Sequence, residues 1–323
     1  MLYNFKCPKE IKRIDRSNSV ILKTGLKKID ETMNGLDLGQ VSIISGSNGS
    51  GKTTILNQLA LNVIEQGYSV GMFSGELSDW RLLNWIYLQA AGKDNVKQAK
   101  NRNGELLNFY NVPDYIKGKI DEWLDNKLYI YDNDKGMSIE EIGESIQKLL
   151  LANKNIKLVI LDNLMSMNIQ KFSGDKYEAQ KSTILKLCQL AKKLEVHIIF
   201  VCHPTKVRDF IRKEDISGSS DLANAVDNIF IVHRNTADFK KRSKEFFGWD
   251  DNHPIYQFDN IIEVAKNREL GSIEKLCGFY FEVPTKRLLN EQNENHQYGW
   301  LERGEQEEIA LVPIEDKDMP FWD

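Results

Sequence analysis

The chain has 323 residues and a formal net charge of −4, with 41% hydrophobic and 28% charged residues. This length allows one large domain or two small ones, and the acidic balance excludes a nucleic-acid binder that relies on an overall positive field. No apolar run would cross a bilayer and no secretory signal precedes the first strand, so we expect a cytoplasmic protein without a membrane partner. The four cysteines are scattered without a C-x-x-C pair, which argues against a zinc ribbon and against a disulfide scaffold.

Apolar strands alternate with amphipathic helices from Gly25 onward. This order is typical of an α/β fold in which helices flank both faces of a mainly parallel central sheet. Residues 1–24 are mixed and charged, and we predict an N-terminal arm or linker there. The predicted strands cover residues 41–45, 70–74, 128–131, 157–161, 197–202, 228–232, 261–266 and 278–282.

Helices are predicted where apolar residues recur at helical spacing. One follows a Gly-rich loop and ends at Gly67, a second opens with a capping box of Ser138 and Glu141, and a third covers about 177–194. The polar segments 93–104 and 235–257 are predicted as surface insertions. We therefore predict one α/β domain over residues 25–303, followed by an acidic C-terminal tail over 304–323.

The Gly-rich loop at residues 46–53 matches the pattern G-x-x-x-x-G-K-[ST] in full, between an apolar strand and a helix. Glycines let backbone N–H groups approach phosphates, and the helix N-terminus adds donors and a positive dipole end. We expect Lys52 to bind the β- and γ-phosphates of ATP, or of dTTP or another NTP, and Thr53 to be a Mg²⁺ ligand. The predicted nucleotide-binding residues are Gly46, Ser47, Asn48, Gly49, Ser50, Gly51, Lys52, Thr53 and Thr54.

Two acidic residues follow predicted strands. Asp162 ends the strand at 157–161, and the carboxyl end of a central parallel strand adjoins the phosphate loop in this architecture, so we expect Asp162 to hold Mg²⁺ through water. Glu76 follows the strand at 70–74, where it could polarise an attacking water. By residue chemistry alone, a surface glutamate near a helix start explains Glu76 equally well.

Several segments resemble one protein family in the same chain order. The chain resembles hexameric replicative DNA helicases with a RecA-like motor, the DnaB-type superfamily, and more closely its phage helicase-primase and mitochondrial Twinkle branch. The resemblance runs from about Gly25 to Leu301 and implies a RecA-like P-loop NTPase: an ATP-hydrolysing hexameric ring that moves on single-stranded or forked DNA and unwinds it 5′ to 3′ during replication. The segments that carry it are residues 46–54, 73–76, 161–164, 201–206, 217–228 and 264–268.

The resemblance also implies roles for single residues. Glu76 matches the catalytic glutamate and His203 matches a residue that senses the γ-phosphate. Lys266 and Arg268 match a pair that reaches into the neighbouring subunit's ATP site, where an arginine in trans stabilises the transferring phosphoryl group. Without the resemblance, a structural histidine and solvated strand-end cations would explain these residues. The predicted DNA-binding residues, in the loop after His203 and the loop after Asp162, are Lys206, Arg208, Arg212, Lys213 and Lys171.

Some features depart from the family pattern. The sequence shows no collar, zinc ribbon or primase domain before Gly25, so we expect no priming in cis. Ser217 stands where some relatives carry arginine, which predicts weaker unwinding. The acidic-aromatic tail either binds a polymerase, primase or loader or serves as a solubilising end. We expect the protein to act in the cytoplasm of a bacterial or phage-infected cell.

Two other functions remain open from the sequence. A RecA-fold recombination or repair ATPase would form filaments on DNA instead of closed rings. A nucleotide-switched assembly ATPase of the same fold would have no DNA partner. The basic loop after His203 favours a DNA partner, and the late lysine-arginine pair favours the ring.

Overall fold

The structure, a computed structural model, describes residues 5–11, 13, 19–135, 139–163, 176–205, 209–216, 223–271 and 274–301. Its strands are β1 (Ile21–Leu22), β2 (Leu36–Asp37), β3 (Val41–Gly46), β4 (Ser69–Ser74), β5 (Lys97–Lys100), β6 (Leu106–Asn111), β7 (Leu128–Ile130), β8 (Ile156–Asp162), β9 (His197–Val201), β10 (Asn228–Arg234), β11 (Asn260–Asn267), β12 (Lys275–Glu282) and β13 (Arg287–Leu289). Its helices are α1 (Lys27–Met33), α2 (Lys52–Glu65), α3 (Asp79–Ala91), α4 (Asp114–Leu124), α5 (Ile139–Ala152), α6 (Lys176–Leu194) and α7 (Ala237–Phe247).

Nine of the described strands form one sheet in the order β13-β12-β11-β10-β3-β9-β8-β4-β7. The strands from β10 to β7 in this order run parallel, and β11, β12 and β13 extend the sheet antiparallel. The predicted α/β fold with a mainly parallel sheet is confirmed. No helix within the described ranges is both long and apolar enough to span a membrane.

The central strands are buried along their whole length because helices cover both faces of the sheet. Every residue of β3, β4 and β9 is buried, as expected for parallel strands packed on both sides. Ile44 belongs to the core with α2, α3 and α4, whereas its neighbour Ile43 belongs to the core with α5 and α6. All eight predicted strands and the three predicted helices are present, although Ser138 lies outside the described residues.

The folded region begins slightly earlier than predicted. Within the segment 1–24, β1 pairs with β2 and Leu22 is fully buried. The hydroxyl of Thr24 donates to Asp30 at 3.0 Å, which fastens this segment to α1. The fold therefore includes residues ahead of Gly25. The acidic tail at 304–323 lies outside the described residues.

The segments 93–104 and 235–257, predicted as surface insertions, contain regular secondary structure, and the second also contributes to the core. Residues of the first segment form β5, which pairs with β6. The second segment contains α7, whose Phe239 is fully buried among other aromatic and aliphatic side chains. We call this group the aromatic cluster; it consists of Phe210, Phe239, Ile255, Phe258 and Ile261.

Arg212 joins the loop after β9 to the sheet beside the aromatic cluster. Its guanidinium donates to Glu263 at 2.8 Å and to Glu274 at 3.1 Å, and it lies over the ring of Phe246. Arg212 is only 8% exposed and Glu263 is fully buried. This arrangement corrects the expectation that Arg212 contacts DNA, because its charge is already used inside the fold. Lys213 pairs with Glu274 at 3.0 Å and stays partly exposed.

Replacing Phe239 by alanine should lower the free energy of unfolding by about 3–5 kcal/mol, because the change leaves a cavity in the aromatic cluster. Phe246 lies on the same helix but is 58% exposed, so Phe246→Ala should cost about 1 kcal/mol. Urea unfolding of both variants measures the difference. Equal costs would show that α7 does not pack as described.

Arg212→Ala should destabilise the fold by about 3–5 kcal/mol, because it leaves the buried carboxylate of Glu263 without its cation. Lys213→Ala removes an ion pair at the surface and should cost at most about 1 kcal/mol. Denaturant unfolding measures the free energy of unfolding of the two variants. Similar stability of the two variants would return Arg212 to the set of solvent-facing basic residues.

Candidate functional site

Parallel register brings several chain segments to one edge of the sheet. In the ladder, Gly46 pairs with Val232, and Ile44 pairs with Val201. Strand β8 lies between β9 and β4, and its last residue, Asp162, pairs with Ser74 at the end of β4. The segments that leave β3, β4, β8 and β9 therefore start side by side at their carboxyl ends. This is the carboxyl edge of the sheet, where open α/β sheets bind ligands.

The phosphate loop between β3 and α2 needs its glycines. A Cβ on Gly46 would lie 2.5 Å from the carbonyl oxygen of Val232, which is backbone and cannot move aside. Gly51 has φ +102° directly before the first helical residue, Lys52, a conformation that other residues adopt only at a cost. Asn48 and Gly49 form the exposed tip of the loop.

Lys52 is buried beneath this loop. Its Nζ donates to the carbonyl oxygens of Gly46 and Ser47, each at 3.0 Å. Burial lowers the pKa of Lys52, while the charges of Asp162 and Glu76 raise it. The hydroxyl of Ser50 is buried and, among the described residues, has no hydrogen-bond partner.

These groups fit the phosphates of a nucleotide. A buried cation, an unpartnered hydroxyl and the first-turn N–H groups of α2, which lack intrahelical acceptors, converge at one glycine-rich loop. The backbone of Ser50 is itself fixed, since its carbonyl oxygen accepts a hydrogen bond from Asn260 of β11 at 3.0 Å. Thr54, the third residue of α2, is buried, and its carbonyl oxygen accepts a hydrogen bond from the side-chain amide of Gln89.

Thr53 and Asp162 are in direct contact. The Thr53 hydroxyl donates to Oδ2 of Asp162 at 2.7 Å, and Asp162 is buried at the end of β8. Burial raises the pKa of Asp162, and the hydrogen bond from Thr53 opposes that effect. A hydroxyl and a carboxylate are hard oxygen donors of the kind that Mg²⁺ prefers. The pair therefore fits the predicted metal site.

Glu76, Asn163 and His203 form a second group at the same edge. The side-chain amide of Asn163 donates to Oε1 of Glu76 and lies 2.7 Å from Nε2 of His203. Nε2 of His203 is 3.2 Å from the same Glu76 oxygen. Glu76 is half-exposed, so its carboxylate is open to water while one oxygen is held by the protein. A carboxylate in this setting can accept a proton from water.

Lys266 and Arg268 lie at the opposite, amino edge of the sheet. Lys266 pairs with Ile229 near the start of β10, three residues or about 10 Å along the strand from the level of Gly46. Nζ of Lys266 donates to the carbonyl oxygen of Ala223 at 2.6 Å, and Nε of Arg268 is 3.2 Å from Asp227. The structure therefore does not bring this pair to the phosphate loop of its own chain.

The predicted DNA-binding residues are only partly described. Lys171, Lys206 and Arg208 lie outside the described residues. The two ends of the loop after His203 are described. Pro204 forms a β-bridge with Ile216, and the N–H of Thr205 donates to the carbonyl oxygen of Asp215 at 2.7 Å. The described ends of the segment at 204–216 are therefore held side by side directly after His203.

Two residues of the site were missed from the sequence. Asn163 directly follows Asp162, and a polar side chain at that position was a usable signal. Asn260 fixes the phosphate loop from a distance of 210 residues along the chain, and no local pattern marks it.

Comparisons with known proteins identify a family for this chain. Residues 22–287 match the family described as the DnaB-like helicase C-terminal domain. Among curated relatives, the chain is 24% identical over 282 residues to replicative DNA helicase DnaB of Helicobacter pylori, covering 84% of this chain and 52% of the relative. It is 25% identical over 248 residues to DNA repair protein RadA of Rickettsia prowazekii, covering 75% of this chain and 46% of the relative. The chain thus spans about half the length of these relatives.

Solved structures share the fold at low identity. One solved ATPase domain superposes with a TM-score of 0.64 at 15% identity, covering 86% of this chain and 93% of that domain. A DnaB-like replicative helicase that interacts with primase superposes with a TM-score of 0.65 at 16% identity, covering 84% of this chain and 62% of that chain. The finer placement in the phage helicase-primase and Twinkle branch stays a prediction. Since the family match covers most of its length, the chain belongs to the DnaB-like helicase C-terminal domain family.

Proposed function

We propose that this chain is an ATP-dependent DNA helicase of the replicative type. It acts as a ring, expected to be hexameric, that moves along single-stranded DNA and unwinds duplex DNA 5′ to 3′. The observation that carries the proposal is the division of the predicted ATP-site residues between two edges of the sheet. Lys52, with Thr53 and Asp162, lies at the carboxyl edge, and Arg268 lies at the amino edge.

At the carboxyl edge, each residue has a distinct task. Lys52 offsets the negative charge of the β- and γ-phosphates, and Thr53 with Asp162 would hold Mg²⁺, which supplies further charge neutralisation when bound. Glu76 is the general base for the attacking water, because its carboxylate is half-exposed and beside the loop. His203 senses the γ-phosphate and connects it to the loop that follows.

At the amino edge, Lys266 and Arg268 serve the ATP site of a neighbouring copy. Their present contacts are to carbonyl oxygens of residues 223–226 and to Asp227, which orient both side chains at the surface of the fold. A head-to-tail arrangement of copies would bring this edge of one chain to the phosphate loop of the next. An arginine supplied in trans then stabilises the charge of the transferring phosphoryl group.

The loop at 204–216 would contact single-stranded DNA through Lys206, Arg208 and Lys213. A ring repeats the loop in every copy, so a chain of net charge −4 still presents a basic channel. Lys171 in the loop after Asp162 would add to it. We place this activity in the cytoplasm of a bacterial or phage-infected cell, with a polymerase, primase or loader as partner of the acidic tail.

A second candidate is a recombination or repair ATPase, and the similarity to RadA favours it. Electron microscopy of the protein with a nucleotide analogue and DNA distinguishes the two. Closed rings support the helicase, and open filaments support the repair ATPase.

Single-stranded DNA should raise steady-state ATP turnover several-fold, and Lys52→Ala should lower turnover at least about 100-fold, because it removes the cation at the phosphates. Lys117→Ala, which breaks a surface pair with Asp114, is the matched control and should change little. The rate of phosphate release gives the ATP turnover of the unsubstituted protein and of the two variants. Turnover indifferent to DNA would exclude the helicase and favour an assembly ATPase.

Reversing Lys206 and Arg208 to glutamate should weaken binding of single-stranded DNA and flatten its salt dependence, with the slope falling by about 0.7 for each phosphate that the variant no longer neutralises. The control reverses Lys192 and Lys193, which are exposed in the last turn of α6, before β9 enters the sheet. Fluorescence anisotropy at several salt concentrations gives the slope. An unchanged slope in the first variant would remove this loop from the DNA channel.

A further inference from the structure

We propose that Asn163 is a positioning residue that ties the carboxylate of Glu76 to the loop at 204–216. The inference rests on the proposed function and deepens it, because it assigns the side chain through which DNA binding would reach the general base. Among the described residues, Asn163 donates to Oε1 of the Glu76 carboxylate, and Nε2 of His203 lies 3.2 Å from the same oxygen. Asn163 contacts both other members of this group.

The chemistry of the contact requires the amide nitrogen of Asn163. Oε1 of Glu76 belongs to a carboxylate, which only accepts, so the amide oxygen in the same place would repel it. The –NH₂ group has two hydrogens: one goes to Glu76, and the other points to Nε2 of His203 at 2.7 Å. Nε2 of His203 then accepts and carries no proton in this arrangement. One amide therefore fixes both the glutamate and the histidine tautomer.

The amide is held more firmly than the groups it contacts. Asn163 is 4% exposed and directly follows β8, which is paired on both sides. Glu76 is half-exposed in the segment between β4 and α3. The buried amide of Asn163 is thus fixed in position. The position of the Glu76 oxygen Oε1 depends on its hydrogen bond from this amide and on the nearby ring of His203.

His203 connects the amide of Asn163 to the loop at 204–216. It directly precedes Pro204, which bridges Ile216 and closes the loop. Farther along, Arg212 anchors the same loop to the buried Glu263. A shift of the loop on DNA binding therefore moves the His203 ring relative to Asn163. That movement changes the hydrogen bond from Asn163 to Glu76, and with it the position in which the Glu76 carboxylate accepts a proton from the attacking water.

The test compares Asn163→Ala and Asn163→Asp with the control Asn95→Ala. Asn163→Asp keeps the shape but cannot donate to Glu76, and it guards against a folding defect in the alanine variant. Asn95 is another buried asparagine, whose amide donates to Ala91 at the end of α3. Nucleotide affinity, the thermal midpoint, and ATP turnover with and without single-stranded DNA are measured for each full-length protein.

In both Asn163 variants, the ratio of turnover with DNA to turnover without DNA should fall at least about fivefold, with nucleotide affinity kept within about twofold. Asn95→Ala should keep the ratio. Adding Asn163→Ala to Glu76→Gln should change the residual turnover little, because Asn163 acts through Glu76.

An unchanged ratio in the Asn163 variants, or an equal loss in Asn95→Ala, would overturn the inference. A ratio of about one in the unsubstituted protein would overturn the proposed function, and the inference with it. The two failures are thus distinguished by the unsubstituted protein.

Discussion

The parallel register of β10, β3, β9, β8 and β4 is the constraint on which the site depends. Because these strands run in the same direction, the residues that follow them start at one edge. Lys52, Asp162 and His203 come from distant parts of the sequence and meet there without any long excursion of the chain. A register shift of one residue would turn each side chain to the other face of the sheet.

The same sheet also separates functions. β11 runs antiparallel to β10, so it begins near the phosphate loop and ends at the opposite edge. Asn260 at its start holds Ser50 of the loop, Glu263 in its middle holds Arg212 of the basic loop, and Lys266 lies near its end. One strand thus touches the nucleotide loop, the loop proposed to face DNA and the pair proposed to act in trans. Each copy offers an edge proposed to bind phosphates and an edge with the cations Lys266 and Arg268, which fits the proposed head-to-tail ring.

Local patterns predicted the parts of the fold that local physics determines. The continuous apolar runs of the central strands and the glycine-lysine pattern at 46–53 needed no knowledge of distant residues. The predictions were poor where a pairing joins distant positions. Arg212 was predicted to contact DNA because its partner Glu263 is 51 residues away and no local pattern reveals the pairing. The segment of α7 was predicted as polar surface because a helix rich in lysine buries little beyond Phe239 and Ser243. Asn163 could have been recognised, since it is a polar residue directly after a buried strand and after Asp162, the aspartate predicted to bind Mg²⁺.

The central claim is that one ATP site needs residues from two copies of the chain, and a mixing experiment tests it most directly. Lys52→Ala and Arg268→Ala proteins are assayed for ATP turnover separately and after mixing in equal amounts under conditions that let subunits exchange. Each alone should be inactive, and the mixture should recover up to roughly a quarter of the unsubstituted turnover, since about one neighbour pairing in four then joins an intact Lys52 to an intact Arg268. Turnover in the mixture no greater than the average of the two variants, or full turnover of Arg268→Ala by itself, would contradict a shared site.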